Sequence, residues 1–182
     1  MHQHNEHCDC GEHDQGHSHS VNHHEHNEHC GCGHTHAPVP TPDGLSPIQV
    51  DILLALRQRQ CLPVACFTLL KTDDDARHSV ALAPVYLSAT NDSMEQVKQL
   101  GQELSQLEEM DLLTLDYDIL LQNYSYEEYR NSELYAYFVQ TVAEAAMRPE
   151  ATYDTPSLDL GSMALTDAGE EMVDKISKQL DI

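Results

Sequence analysis

The sequence predicts an α+β domain carried behind a long polar tail, and three observations predict it. The first is a break in composition. Residues 1 to 36 hold twelve of the chain's 13 histidines and four of its six cysteines, with no lysine or arginine and a single aliphatic side chain, Val21. Such a stretch cannot assemble a hydrophobic core and is expected to be disordered. The second is the alternation Ala37-Pro38-Val39-Pro40-Thr41-Pro42-Asp43-Gly44, which makes residues 37–45 an extended, semi-rigid linker. The third is that from Ser46 onward capped amphipathic stretches alternate with short apolar runs of strand length. With 182 residues and 20.4 kDa, the chain has room for one domain, residues 46–182, plus its appendage.

Taken in order, a helix is expected from Ser46 to about Gln60, with Ser46 as its cap and Pro47 at the first helical position. Residues 61–71 are apolar without a clear period, so helix and strand both remain open there. Thr72 to Ala76, with three aspartates, predicts a turn, and residues 79–88 predict extended chain because Pro84 opposes a regular helix. From Ser93 to about Met110 a helix is expected, opened by a Ser93–Gln96 capping box and burying Val97, Leu100, Leu104 and Leu107. Residues 112–118 and 158–165 predict a pair of strands. The insertion between them, about 119–156, contains a helix from Ser132 to Arg148 stopped by Pro149. Thr166 caps a last helix whose inward face is Ala168, Met172, Val173 and Ile176.

Charge narrows the function. The chain carries 31 acidic against 9 basic residues, a net charge of −22. Six of the acids lie in the tail, which leaves residues 37–182 at −16. That charge opposes phosphate backbones and anionic membranes, so DNA binding is disfavoured and no membrane partner is expected. No apolar run approaches the ~20 residues of a membrane span and no secretory signal is read, so the expected compartment is the reducing cytoplasm. In that compartment closely spaced cysteines point to metal chemistry rather than disulfides.

The tail contains an internal repeat. His4-Asn5-Glu6-His7-Cys8-Asp9-Cys10-Gly11 returns as His26-Asn27-Glu28-His29-Cys30-Gly31-Cys32-Gly33, followed in each copy by a further histidine, His13 or His34. Thiolate is a soft ligand and neutral imidazole a borderline one, so this H-x-x-H-C-x-C-G element suits zinc, nickel, cobalt or copper(I) and poorly suits magnesium or calcium. The candidate ligands are His4, His7, Cys8, Cys10, His13, His17, His19, His23, His24, His26, His29, Cys30, Cys32, His34 and His36. The wide ligand spacing of zinc fingers is absent, which predicts an adaptable site that folds on its metal. Within the domain the remaining soft ligands are Cys61, Cys66 and His78, with buried apolar cysteine the expected state of the first two. No nucleophile elbow and no glycine-rich phosphate loop occurs, so no enzymatic activity is expected.

Two resemblances follow from these residues. Leu107, Glu108, Leu112 and Leu113 match the "LExxGLL"-like end of the recognition helix in winged-helix domains, and Leu165, Thr166 and Gly169 match the "LTxxG" segment that follows the wing. The resemblance implies a winged-helix-like domain with a helical insertion. Its recognition helix would carry one base, Lys98, beside Gln96, Gln99, Gln102, Ser105 and Gln106. The tail is similar to the histidine-rich extensions of bacterial nickel-handling metallochaperones, which implies storage, buffering or delivery of metal. The expected function is thus a cytoplasmic transition-metal-binding protein whose domain makes protein contacts. The alternative is a metal-responsive winged-helix transcription regulator. The tyrosine-rich segment Tyr124–Tyr129, with Tyr135 and Tyr137, is expected to pack on the strands, and if exposed would be the best surface for a homodimer.

Overall fold

The structure, a computed structural model, describes residues 44–181. It is a mixed helix-and-strand domain built on one four-stranded antiparallel sheet. Its elements are α1 (Pro47–Arg59), β1 (Cys61–Lys71), β2 (Asp74–Val85), α2 (Met94–Glu109), β3 (Leu113–Asp116), α3 (Glu127–Arg130), α4 (Glu133–Ala146), β4 (Thr155–Leu165) and α5 (Asp167–Leu180). The strand order is β2-β1-β4-β3. β1 and β4 are joined without interruption from Cys61↔Ala164 to Leu70↔Thr155.

β1 resolves the open assignment of residues 61–71 as strand. Its apolar run lacks a period of two because both of its faces are covered. On one face Leu62 and Met163 pack beneath Leu53 and Leu56 of α1, Leu104 and Leu107 of α2 and Val173 and Ile176 of α5. On the other, Ala65 and Phe67 meet Tyr126, Tyr129 and Leu134 of the insertion. A residue buried from either side is apolar in either register, and Leu62 through Phe67 are all buried.

The caps read in the sequence are formed. Ser46 Oγ accepts from Gln49 N at 3.1 Å while Gln49 Oε1 accepts from Ser46 N, and Pro47 occupies the first turn of α1. The same reciprocal box joins Ser93 and Gln96 at α2. Ser132 caps α4, and Thr166 Oγ1 accepts from Gly169 N at 3.0 Å to open α5. Ser46 also donates to Glu103 at 2.8 Å and Gln49 to Gln106 at 2.9 Å, which ties the start of α1 to the side of α2.

Four details differ from expectation. The turn after β1 is two residues, Thr72 and Asp73, and Asp74–Ala76 already belong to β2. It closes early because Asp154, at the entry to β4, accepts from both the backbone N and the hydroxyl of Thr72 and pairs with Lys71 at 2.8 Å. Leu100 is only half-buried, since α2 meets β2 through Gly101, which sits against the Pro84 carbonyl. Ala168 faces solvent; Gly169 takes the inward position because Leu112 O presses on its Cα. The tyrosines divide: Tyr126 and Tyr129 are buried on the sheet, whereas Tyr137 is 63% exposed. Among the described residues no helix is long and apolar enough to cross a membrane.

Gly161, in the middle of β4, faces the turn that leaves β3, and a Cβ there would collide with the Asp116 carbonyl oxygen and the Tyr117 Cα. Both obstacles are backbone. Gly161→Ala should therefore destabilise the domain by about 2–3 kcal/mol, the upper range for overpacking. The expected result is a thermal midpoint several degrees lower by circular dichroism, with the helical signal at low temperature unchanged.

Candidate functional site

All fifteen candidate ligands of the tail lie outside the described residues. The domain's own soft ligands, Cys61, Cys66 and His78, are described, and strand geometry keeps them apart. Cys61 and Cys66 are separated by five positions of β1, about 16 Å at ~3.3 Å per residue, and an odd separation turns them to opposite faces. His78 stands opposite Leu70, four positions beyond Cys66 and thus about 13 Å further along. A tetrahedral centre requires bonds of about 2.0–2.3 Å to every ligand, which these three cannot supply together. Among the described residues no group of three or more His, Cys, Asp or Glu is placed to hold a metal ion.

The two thiols differ in chemistry. Cys66 is 5% exposed and paired across the ladder with Asp159. Burial, with the negative charge of Asp159 in second place, pushes its thiol up to about 11, so the nucleophilic and metal-ligating thiolate is suppressed at neutral pH. Asp159 in turn accepts from Thr68 Oγ1 at 3.0 Å. Tyr117 packs on the same region, and burial holds its phenol well above the ordinary range. Cys61, by contrast, departs from the expected buried state: it is exposed, because it is the first residue of β1, outside the run Leu62–Phe67 that the two layers cover. It opens into a cleft of about 690 Å³ lined by Arg59, Tyr86, Ser88, Tyr124 and Glu128 among others. Tyr124 donates to Glu128 at its rim, and desolvation together with that carboxylate raises the phenol further above its usual value.

A second cleft, about 480 Å³, lies between α4 and the sheet. Leu69, Ala81, Phe138, Val142 and Ala145 form its apolar walls, and Arg148, Glu150 and Tyr153 reach its rim. Neither cleft was legible in the sequence. Each is made by residues from three or more elements, and only their pairing across β1 brings them together.

The helix compared with a recognition helix, α2, presents less free polar surface than its composition implies. Gln96 is held in the capping box and Gln106 accepts from Gln49. Gln99 and Gln102 remain exposed with Lys98, while Ser105 is half-buried. The L-T-x-x-G segment has a local cause: Leu165 ends β4, Thr166 caps α5, and Gly169 admits the Leu112 carbonyl.

No family model matches this chain, and neither a curated protein nor a solved structure matches it.

The difference between the thiols is measurable. In the folded full-length protein, maleimide at neutral pH should modify Cys61 and spare Cys66, as read by peptide mapping. Cys66 should become reactive only as pH approaches about 11, where its thiolate forms. The sign for stability follows: the unfolded chain releases this proton first, so stability present below the ordinary thiol pKa falls as pH rises toward about 11. In Cys66→Ala that part of the alkaline loss should vanish from urea midpoints measured across the same window.

Proposed function

We propose that the protein is a transition-metal-binding protein in which residues 1–36 take up nickel, zinc or cobalt for buffering or delivery, while the α+β domain makes protein contacts. The observation that carries this reading is the duplicated H-x-x-H-C-x-C-G element, seven of whose eight positions recur at an offset of 22 residues. Two thiolates one residue apart, flanked by imidazoles, form a donor set for a borderline or soft ion, and the glycines let the chain wrap around it. Interspersed acids offset the incoming positive charge. The withheld thiolate of Cys66 and the dispersal of Cys61 and His78 support a division in which the domain does not compete with the tail for metal.

The winged-helix likeness belongs to the same proposal. It is supported by the order of α2, β3 and β4, with β4 lying between β1 and β3 and leading into a Thr-capped helix. A regulator built on this likeness would place α2 on DNA. Against that stands its electrostatics: Lys98 is the sole base of α2, beside Glu95, Glu103, Glu108 and Glu109, in a domain of net charge −16. Protein contact is therefore the favoured role.

Removing residues 1–36 should abolish most metal uptake in isothermal titration and leave the cooperative unfolding of the domain unchanged. Replacing Cys8, Cys10, Cys30 and Cys32 with serine should weaken the tightest site far more than replacing four scattered histidines. The cobalt-loaded protein should also lose its sulfur-to-metal charge-transfer band. Full metal stoichiometry in the truncated chain would overturn the assignment. Protons compete for the same imidazoles, so affinity should fall as pH drops below about 6.5, with the thiolate-held fraction leaving last.

The regulator reading is separated by a DNA titration. The full-length protein, metal-free or metal-loaded, should show no salt-sensitive binding to duplex DNA. Sub-micromolar binding of the loaded form to the DNA upstream of its own gene would instead favour the regulator.

A further inference from the structure

Helix α4 is the insertion's outer layer, and its solvent side is unlike the rest of the domain's surface. From Leu134 to Met147 the sole charged residue is Glu144, in a chain where 22% of residues are charged. Leu134 and Val142 are buried and Phe138 half-buried beneath it. Outward stand Tyr137, 63% exposed, and, at the C-terminal end, Met147, 83% exposed. An exposed tyrosine beside an apolar cleft is the kind of aromatic anchor that interfaces use. The charges that do occur stand at opposite ends: Glu133 in the first turn, and Arg148 just past the C-cap at Met147. Neither forms an ion pair among the described residues.

Helical spacing sets Glu133, Tyr137, Thr141 and Ala145 on one ridge at intervals of four residues, with Gln140, Glu144 and Arg148 on the row beside it. The ridge borders the apolar cleft lined by Leu69, Ala81, Thr141 and Ala145, whose volume is about 480 Å³. We propose that this face is a homodimer interface in which α4 packs antiparallel on α4 of a second copy, about a two-fold axis between Gln140 and Thr141. That axis sets Glu133 of each copy against Arg148 of the other, so the end charges are complementary twice over. It also sets Tyr137 of each copy opposite Glu144 and Ala145 of the other. The ring then enters the cleft beside Phe138 and the phenol hydroxyl donates to a rim carboxylate. A parallel arrangement would oppose Glu133 to Glu133 and leave the clefts open. The second copy is favoured over an unrelated partner because one surface supplies both the protruding ring and the cavity, and both signs of the flanking charge. The inference is independent of the metal reading.

The test is sedimentation velocity on the full-length protein in excess chelator, so that no metal bridge between tails can join two chains. Wild type is expected to be dimeric at about 100 µM, a concentration that populates even a weak interface. Glu133→Arg and Arg148→Glu should each shift it to monomer, and the double variant E133R/R148E should restore the dimer because the pair is merely inverted. Tyr137→Ala should weaken association at least about tenfold, as loss of a buried aromatic anchor does. All four substituted chains should keep the wild-type circular dichroism spectrum, since the altered side chains are exposed. A monomeric wild type, a dimer indifferent to the single reversals, or a double variant no better than the singles would each overturn the proposal.

Discussion

The ladder between β1 and β4, unbroken from Cys61↔Ala164 to Leu70↔Thr155, joins the beginning of the domain to its end. Each helix is then placed by the side of that ladder it covers. α1, α2 and α5 converge on the face bearing Leu62 and Met163, and the insertion covers the face bearing Ala65 and Phe67. Both faces of β1 are thus desolvated and both of its edges are paired, so its backbone groups are satisfied in the sheet while its side chains are free to be apolar. β2 and β3 extend the sheet outward at its two edges.

What fastens the insertion to this ladder is a pair of phenols. Tyr126 donates to the Gly161 carbonyl at 2.7 Å and Tyr129 to the Pro63 carbonyl at 3.0 Å, both in buried surroundings. The acceptors lie on β4 and β1, so the insertion is keyed to both strands at once. A ring contributes apolar burial and its hydroxyl supplies a hydrogen bond where water is excluded, which phenylalanine could not do. The price is geometric, because Tyr126 adopts a left-handed φ of 55° to reach its place. Phe138 and Tyr135 then pack against Phe67 with ring centroids 5.2 and 5.3 Å away, and α4 is laid across the sheet with its other side uncovered by any of the described residues.

Features set by near neighbours in the chain were legible in the sequence. Ser46, Ser93, Ser132 and Thr166 each act within three residues of their partner, so the helix starts could be read directly. Features set by distant neighbours were not. The run around Val64 gave no period because two layers bury it from opposite sides, and the shortened turn at Thr72 depends on Asp154. The short helix α3 was not legible because its entry depends on the backbone of Tyr126, which is fixed by a carbonyl of β4. Of the candidate site, the ligand set proposed for the tail is a matter of residue type and spacing and rests on the sequence alone. The separation of Cys61, Cys66 and His78 needed the assignment of β1 as strand and its register with β2.

This division has a thermodynamic consequence for the proposed metal chemistry. A ligand stabilises a fold only to the extent that it binds the folded form more tightly than the unfolded one. The tail's proposed ligands are polar side chains with little apolar area to bury, and among the described residues no buried side chain is a histidine. If metal is held by residues 1–36 alone, it binds equally whether the domain is folded or not, and the domain's unfolding free energy is indifferent to metal. The ordering cost of binding is then confined to the tail and is met by metal–ligand bonds rather than by the core. A chain organised this way would lose its metal on acidification without loosening the domain, because twelve of its 13 histidines stand in residues 1–36.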